Sequence, residues 1–489
     1  MTTFESTERQ GLDGQISAGH GAASPAQKPL GWLGIARLGL VQTALGSIIV
    51  LTTSTINRVM VVELALPAMI PGALIALHYA VQVLRPRWGH GADTGGRLTP
   101  WILSGMAMLA LGGIGAAVAT MLIATSFWAG ILLSVLAFML IGVGVGASGT
   151  SLLVLLSKRV ADHRRPAAAT VVWIMMIVGF IITAATAGHF LDPFSMERLV
   201  VVTSVVSCIA MLMTLLAVAG IEGNGIEGKA VADKIVSAHD VTDSSFKTAM
   251  LEVWSEPQSR LFAIFIFISM VAYSAQDLIL EPFAGVMFAY TPGQSTKLAS
   301  VQHGGVLVGM LLVAFGTTLK GGKLAGSSRI WTVGGCVASA VMLLLLASSA
   351  FVGPSFPFRE TVFLLGVSNG AFAVSAIGAM MRLVSKGHKS REGVRMGLWG
   401  AAQGIAFGMG GFLGTAAVDF TSLLTPSPAL AYAFVFAAEA ALFIVAAVLA
   451  ERVANQANQA NQATQAFQTS VSHSTRQGDS SFVLGAKTG

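Results

Sequence analysis

Apolar residues occur along this chain in long runs separated by short polar breaks. Runs of membrane-crossing length, about 20 residues each, fall near 36–60, 67–85, 99–123, 127–157, 166–189, 196–221, 259–289, 296–318, 329–350, 359–384, 393–420 and 428–451. The pattern predicts an all-α integral membrane protein with twelve transmembrane helices. The 127–157 run is longer than a bilayer requires, so one of its ends is expected to emerge from the lipid. Residues 1–30 are polar, carry Glu5, Glu8 and Asp13, and lack the basic-then-apolar order of a cleavable signal. They are expected to be a disordered tail, with the first helix acting as the insertion signal. The stretch 453–489 repeats Asn-Gln-Ala, turns Ser/Gln-rich, and is also expected to be disordered.

The runs divide into two sets. Leu140-Ile141-Gly142-Val143-Gly144-Val145-Gly146-Ala147 and Leu364-Leu365-Gly366-Val367-Ser368-Asn369-Gly370-Ala371 lie 224 residues apart. Ser157-Lys158 matches Ser385-Lys386, and Trp173 matches Trp399, at similar offsets. Asn57-Arg58…Glu63 is matched with Gln276-Asp277…Glu281-Pro282 at about the same distance. Four matches in order imply a duplicated six-helix unit. The expected halves are 31–221 and 258–452, joined by a connector over 222–257. Two such halves related by an axis along the membrane normal make the major facilitator fold. Within the connector, Phe246, Ala249, Met250, Val253 and Trp254 fall on one helical face. An amphipathic helix lying at the membrane interface explains that spacing, and a helix for a partner protein is the other reading.

Composition narrows the functional classes. Charged residues are 11% of the chain, hydrophobic residues 54%, and the net charge is +6. The basic residues gather in the short loops after the second, fourth, eighth and tenth runs, for example Arg85, Arg87 and Arg97, or Lys386, Lys389, Arg391 and Arg395. The positive-inside rule puts those loops, the connector and both termini in the cytoplasm. It also accounts for the basic balance without nucleic acid. Cys208 and Cys336 stand alone in apolar runs, which gives neither a disulfide framework nor a metal spacing.

Charges inside the apolar runs carry the candidate chemistry. Asp277 and Glu281 sit one turn apart, followed at once by Pro282, and Arg58 and Glu63 end the first run. Acids at such depth face a protein interior or cavity and mark function. An ion pair between Arg58 and Asp277 across the two halves is one expectation. The alternative is Arg58 reaching lipid headgroups, with Glu63 and Glu281 capping loop turns. Gly89-x-x-x-Asp93-x-x-Gly96-Arg97, between the second and third runs, matches the major facilitator loop signature. It speaks to conformational coupling, with Asp93 placed to sit at a helix N-terminus. The corresponding stretch of the second half has Lys320 where the acid should be.

His78 and His303 lie within the second and eighth runs, and His189 near the end of the fifth. A neutral imidazole can offer a lone pair to a metal, including the magnesium of a chlorin. A lone membrane histidine is more often a hydrogen-bonded packing residue. No zinc, haem, phosphate-loop or nucleophile–base pattern is present, so no catalytic or metal site is expected.

Several of these stretches together resemble one known family. They are Asn57-Arg58-Val59-Met60-Val61-Val62-Glu63-Leu64, Pro71-Gly72-Ala73-Leu74-Ile75-Ala76-Leu77-His78-Tyr79, Arg85-Pro86-Arg87-Trp88-Gly89 and Gln276-Asp277-Leu278-Ile279-Leu280-Glu281-Pro282-Phe283-Ala284-Gly285. They look like the bacteriochlorophyll delivery family, the PucC/LhaA-type branch of the major facilitator superfamily, over roughly residues 30–452. The resemblance implies a non-catalytic assembly factor for light-harvesting complexes in the cytoplasmic (intracytoplasmic photosynthetic) membrane of a phototrophic bacterium. It implies bacteriochlorophyll as the bound molecule. Antenna polypeptides, the reaction-centre–antenna core complex and pigment-synthesis enzymes are the implied partners, besides the bilayer itself. His78 is the first candidate for the pigment ligand and His303 the second. Two other functions remain open. One is a proton-coupled transporter with Asp277, Glu281 or Glu63 as the titrating group; the other is a pigment-free scaffold for antenna helices.

Overall fold

Polar residues within the first apolar run do not break it. In the computed structural model, which describes residues 30–82, 97–161, 164–222, 251–318, 328–386, 392–425 and 427–484, α1 (Trp32–Val50) continues through π-helical turns at Leu51–Ile56 and Val59–Glu63. Thr52 to Thr55 lie on the first of these widened turns, and Asn57 and Arg58 lie between the two. The rest of the N-terminal half is α2 (Met69–Val81), α3 (Thr99–Ile123), α4 (Phe127–Arg159), α5 (Arg165–Phe190) and α6 (Met196–Val218). The C-terminal half has α7 (Pro257–Phe288), α8 (Pro292–Thr318), α9 (Ser328–Val352), α10 (Phe358–Lys386), α11 (Glu392–Leu424) and α12 (Pro428–Leu484). Eleven of the twelve are long and apolar enough to span a bilayer. The exception, α2, has 13 described residues and runs into residues outside the description. Starts follow local chemistry: proline stands in the first turn of α3, α5 and α7, and Ser195 caps α6 at the Arg198 N–H, 3.1 Å.

Each half packs by the same plan. The pairs α1–α5, α1–α6, α2–α4, α3–α4 and α3–α6 recur as α7–α11, α7–α12, α8–α10, α9–α10 and α9–α12. The halves meet where α2 lies on α11 and α5 lies on α8, the same contact exchanged. Each half has its own apolar core, and a small cluster of Ile177 with Val306 and Met310 bridges α5 and α8. The 224-residue offset reappears as geometry. Gly142 lies against the His78 carbonyl, and Gly366 against the Gln302 carbonyl. The first helix of each half ends at an alanine in the left-handed region, Ala65 (φ 49°) and Ala289 (φ 53°).

Two expectations about the flanking segments change. The 453–489 stretch is not an irregular tail as far as it is described, since α12 continues to Leu484. Ala and Gln are good helix formers, no proline follows Pro428, and extending an existing helix avoids the cost of nucleation. In the connector, residues 251–255 are helical, with Val253 buried and Leu251 and Trp254 exposed. Phe246, Ala249 and Met250, and the N-terminal tail 1–29, lie outside the described residues.

Candidate functional site at the seam between the halves

The π-helical end of α1 faces α7 and α8, and its polar side chains reach across the seam. The Ser54 hydroxyl donates to the Glu281 carboxylate. Thr55 and Thr296 share a hydroxyl–hydroxyl bond of 2.9 Å. Asn57 Nδ2 donates to the Leu278 carbonyl at 2.7 Å. Arg58 is 2% exposed; it pairs with Glu63 and donates to the Tyr290 carbonyl at 2.5 Å. Departures from regular α-helix often sit at functional positions, and here Ser54, Thr55, Asn57 and Arg58, within little more than one turn, all bond to the C-terminal half.

The same end of the seam is closed at α2. The Asp419 carboxylate, on α11, accepts from the Ala68 and Met69 N–H groups at 2.9 and 2.7 Å. It thereby caps a helix of the opposite half through orphan amides and the helix dipole. Lys297 approaches Asp192 at 3.9 Å. Deeper in the bundle, Phe407 contacts both Tyr79 and Tyr273, with ring centroids 5.6 and 5.9 Å apart.

Arg58 and Asp277 do not pair. The Asp277 carboxylate accepts from Gln302 Nε2 at 3.0 Å, while Arg58 is committed to Glu63 and Tyr290. The register explains the difference. An offset of 224 makes Arg58 equivalent to Pro282 and Asn57 equivalent to Glu281, so Asp277 lies five residues, about 7.5 Å, further along its helix. Burial of Arg58 also removes the headgroup alternative. Glu281 is 3% exposed in mid-helix and caps no turn, whereas Glu63 ends its helix with its side chain about one-third exposed. Of the four charges singled out, the seam therefore unites Arg58, Glu63 and Glu281. Asp277 belongs to a neighbouring polar pocket with Gln302.

The two histidines differ in what they offer. His78 is buried and its Nε2 meets Gln82 Nε2 at 2.8 Å. The amide N–H can only donate there, so the His78 Nε2 lone pair is used. His303 Nδ1 donates to the Ala299 carbonyl at 2.8 Å, which fixes the tautomer with the lone pair on Nε2. Phe180 of α5 meets the His303 ring edge-on, centroids 4.8 Å apart. The order of the two candidates is thus reversed. Elsewhere on α8, Val301 and Gly304, with Arg359, Glu360, Phe363 and Leu364 of α10, line an open groove of about 540 Å³ to which His303 does not contribute. The loop residues Gly89, Asp93 and Gly96 lie outside the described residues, and Arg97 is exposed. The N-terminus of α3 is capped by Glu222, which accepts from Leu98 and Thr99 N–H at 2.5 and 2.9 Å.

Sequence reasoning missed Glu439, Gln276 and Asp419. Glu439 is 2% exposed on α12 and is close enough to Asp277 for the two to interact electrostatically. It is the one acid between Pro428 and Ala450, so the rule that marked Asp277 would have marked it too. Asp419, at the end of the 393–420 run, falls under the same rule, although its partners in the other half could be known only from the structure.

Comparison with known proteins agrees with this architecture. The family model described as PUCC protein matches residues 55–458. The chain is 51% identical to the "Bacteriochlorophyll synthase 44.5 kDa chain" of Rhodobacter capsulatus, covering 87% of this chain and 96% of that one. It is 27% identical to "Protein PucC" of Rhodobacter capsulatus, covering 85% and 90%. Among solved structures, the D-xylose-proton symporter aligns with a TM-score of 0.66 at 11% identity, covering 85% of this chain and 96% of that chain. That likeness carries the major facilitator fold.

Proposed function

The chain belongs to the PUCC protein family, and on that premise we propose that it is an assembly factor that binds bacteriochlorophyll and delivers it to antenna polypeptides within the membrane. The observation that carries the reading is the identity, spanning nearly the whole chain, with a relative named for bacteriochlorophyll. The role is handling rather than catalysis, in keeping with a fold shared with transport proteins. Both termini and the connector face the cytoplasm, from the placement of Lys and Arg. Antenna polypeptides, the reaction-centre–antenna core and pigment-synthesis enzymes are the partners, in the photosynthetic membrane.

A chlorin carried as cargo needs an apolar surface and one axial ligand. His303 supplies a fixed lone pair, the way metal-ligating histidines are oriented by a bond to the other nitrogen. Apolar surface next to the ring is supplied by Phe180 of α5, whose ring meets His303 edge-on. Replacing His303 by Leu is expected to lower copurified pigment several-fold while folded protein is unchanged; His78→Leu is expected to leave pigment per protein near wild type. The check is the ratio of chlorin to protein absorbance in size-exclusion peaks. Equal ratios in all three proteins would remove the histidine ligand.

A second reading, proton-coupled transport, draws on Glu281 at the seam and Asp277 in the pocket beside it, in a fold shared with a symporter. It predicts substrate-dependent proton uptake in vesicles that Asp277→Asn abolishes.

A further inference from the structure

Arg359 and Glu360 stand in the first turn of α10, exposed, and neither has a hydrogen bond or ion pair among the described residues. Successive helix residues point about 100° apart, so the two charges do not neutralise each other. Both line the open groove of about 540 Å³, whose other walls are Val301 and Gly304 of α8 and Phe363 and Leu364 of α10.

The groove follows from the way α8 meets α10. Gly305 and Gly309 lie against the Phe363 and Val367 carbonyls, which brings the two backbones together. Gly304, one position round the helix, meets nothing: no heavy atom lies within 4 Å of a carbon added there. It leaves the trough beside the crossing unfilled. The stripe through Val301 and Gly304 continues at helical spacing as Val308, Leu311 and Phe315, all exposed, and Leu364 is exposed across from it. Val306 and Met310, which bridge to α5 at the seam, are two residues on from Gly304 and Val308, about 200° round the helix. The groove therefore opens away from the seam, onto the apolar outer face and the lipid.

Its depth matches one leaflet. α8 and α10 begin at the same face of the membrane, since α9 alone lies between them. Val301 is nine residues from Pro292 along α8, about 13.5 Å, and half a hydrocarbon core is about 15 Å. The two charges stand at the surface end and the apolar wall runs inward from them.

Such a groove fits an amphipathic molecule whose head carries both signs. A guanidinium holds a phosphate through its planar fork, and a carboxylate accepts from a primary ammonium. An anionic phospholipid would satisfy Arg359 and be repelled by Glu360. We propose that the groove binds one molecule of phosphatidylethanolamine, with its phosphate on Arg359, its ammonium on Glu360 and one acyl chain laid over Gly304. The site stands independently of pigment handling at His303.

Native mass spectrometry of the full-length protein tests it, after delipidation in mild detergent and addition of phosphatidylethanolamine or phosphatidylglycerol with the same acyl chains. Wild type is expected to hold one phosphatidylethanolamine, several-fold more than phosphatidylglycerol. Gly304→Leu, which fills the floor, should lower both adducts several-fold, and Arg359→Gln should do the same. Glu360→Gln should abolish the preference between the two lipids. Equal adducts on wild type overturn the proposal, as does an adduct that Gly304→Leu leaves unchanged. So does a chlorin adduct that Gly304→Leu removes, which would give the groove to pigment. If Gly304→Leu fails to accumulate, Glu360→Gln decides: a preference left intact overturns the site.

Discussion

Arg58→Ala is expected to be the most damaging single substitution in the seam. The guanidinium is 2% exposed and answers three needs at once. It pairs with Glu63, it donates to the Tyr290 carbonyl where α7 ends, and it lies within electrostatic reach of Glu281. Removing one partner of a buried pair leaves the other charge uncompensated, at a cost of about 3–5 kcal/mol. The expected result is a large fall in the temperature at which the solubilised protein loses its monodisperse peak. Arg58→Lys should recover only part of it, because an ammonium cannot reproduce the planar fork that serves two acceptors. Glu63→Gln should cost less, since that side chain is one-third exposed. The double variant Arg58→Ala/Glu63→Gln should be no worse than Arg58→Ala. Additive losses would mean that the two residues act separately.

The second large effect is expected at the glycines where α8 crosses α10. A Cβ on Gly305 or Gly309 would meet the Phe363 or Val367 carbonyl, and one on Gly366 or Gly370 the Gln302 or Val306 carbonyl. The obstacles are backbone atoms, so no rotamer change relieves them. Reciprocal small-xxx-small pairs of this kind let membrane helices approach closely. Gly366→Val must therefore push the helices apart, and overpacking costs about 1–3 kcal/mol even where side chains can yield. It also displaces the backbone of Gln302, whose side chain holds Asp277. Gly400→Ala and Gly334→Ala, where no heavy atom lies within 4 Å of the added carbon, should be near neutral in the same thermal assay. Equal stability of Gly366→Val and Gly334→Ala would contradict the close crossing.

Much of the fold was legible because lipid demands long apolar runs and closed backbone hydrogen bonding. The duplication was legible too: Gly142 and Gly366, matched by pattern, occupy the same contact in both halves. Aligning Arg58 with Asp277 failed because similar-looking polar stretches were matched, five residues from the true register. Ala65 and Ala289, ordinary in sequence, mark that register through their left-handed backbone. The π-helical turns of α1 hold the hydroxyl run Thr52-Thr53-Ser54-Thr55, in which Thr52 and Thr53 donate back to the Ile49 carbonyl, a competition with regular helix bonding that the sequence shows only in hindsight. The difference between the histidines is local: His78 spends its lone pair on Gln82, four residues on along the same helix, while His303 Nδ1 bonds the Ala299 carbonyl four residues back and keeps the Nε2 lone pair. The long C-terminal helix went unforeseen because low apolarity suggested disorder, whereas an established helix can be extended by Ala and Gln at little cost.

The most direct measurement for a bacteriochlorophyll-handling protein is the absorption spectrum of the full chain, purified in mild detergent from a pigment-producing host. Chlorin bands are expected to travel with the folded monodisperse protein and to diminish in His303→Leu. A monodisperse, thermally stable wild-type protein without chlorin absorbance would contradict it.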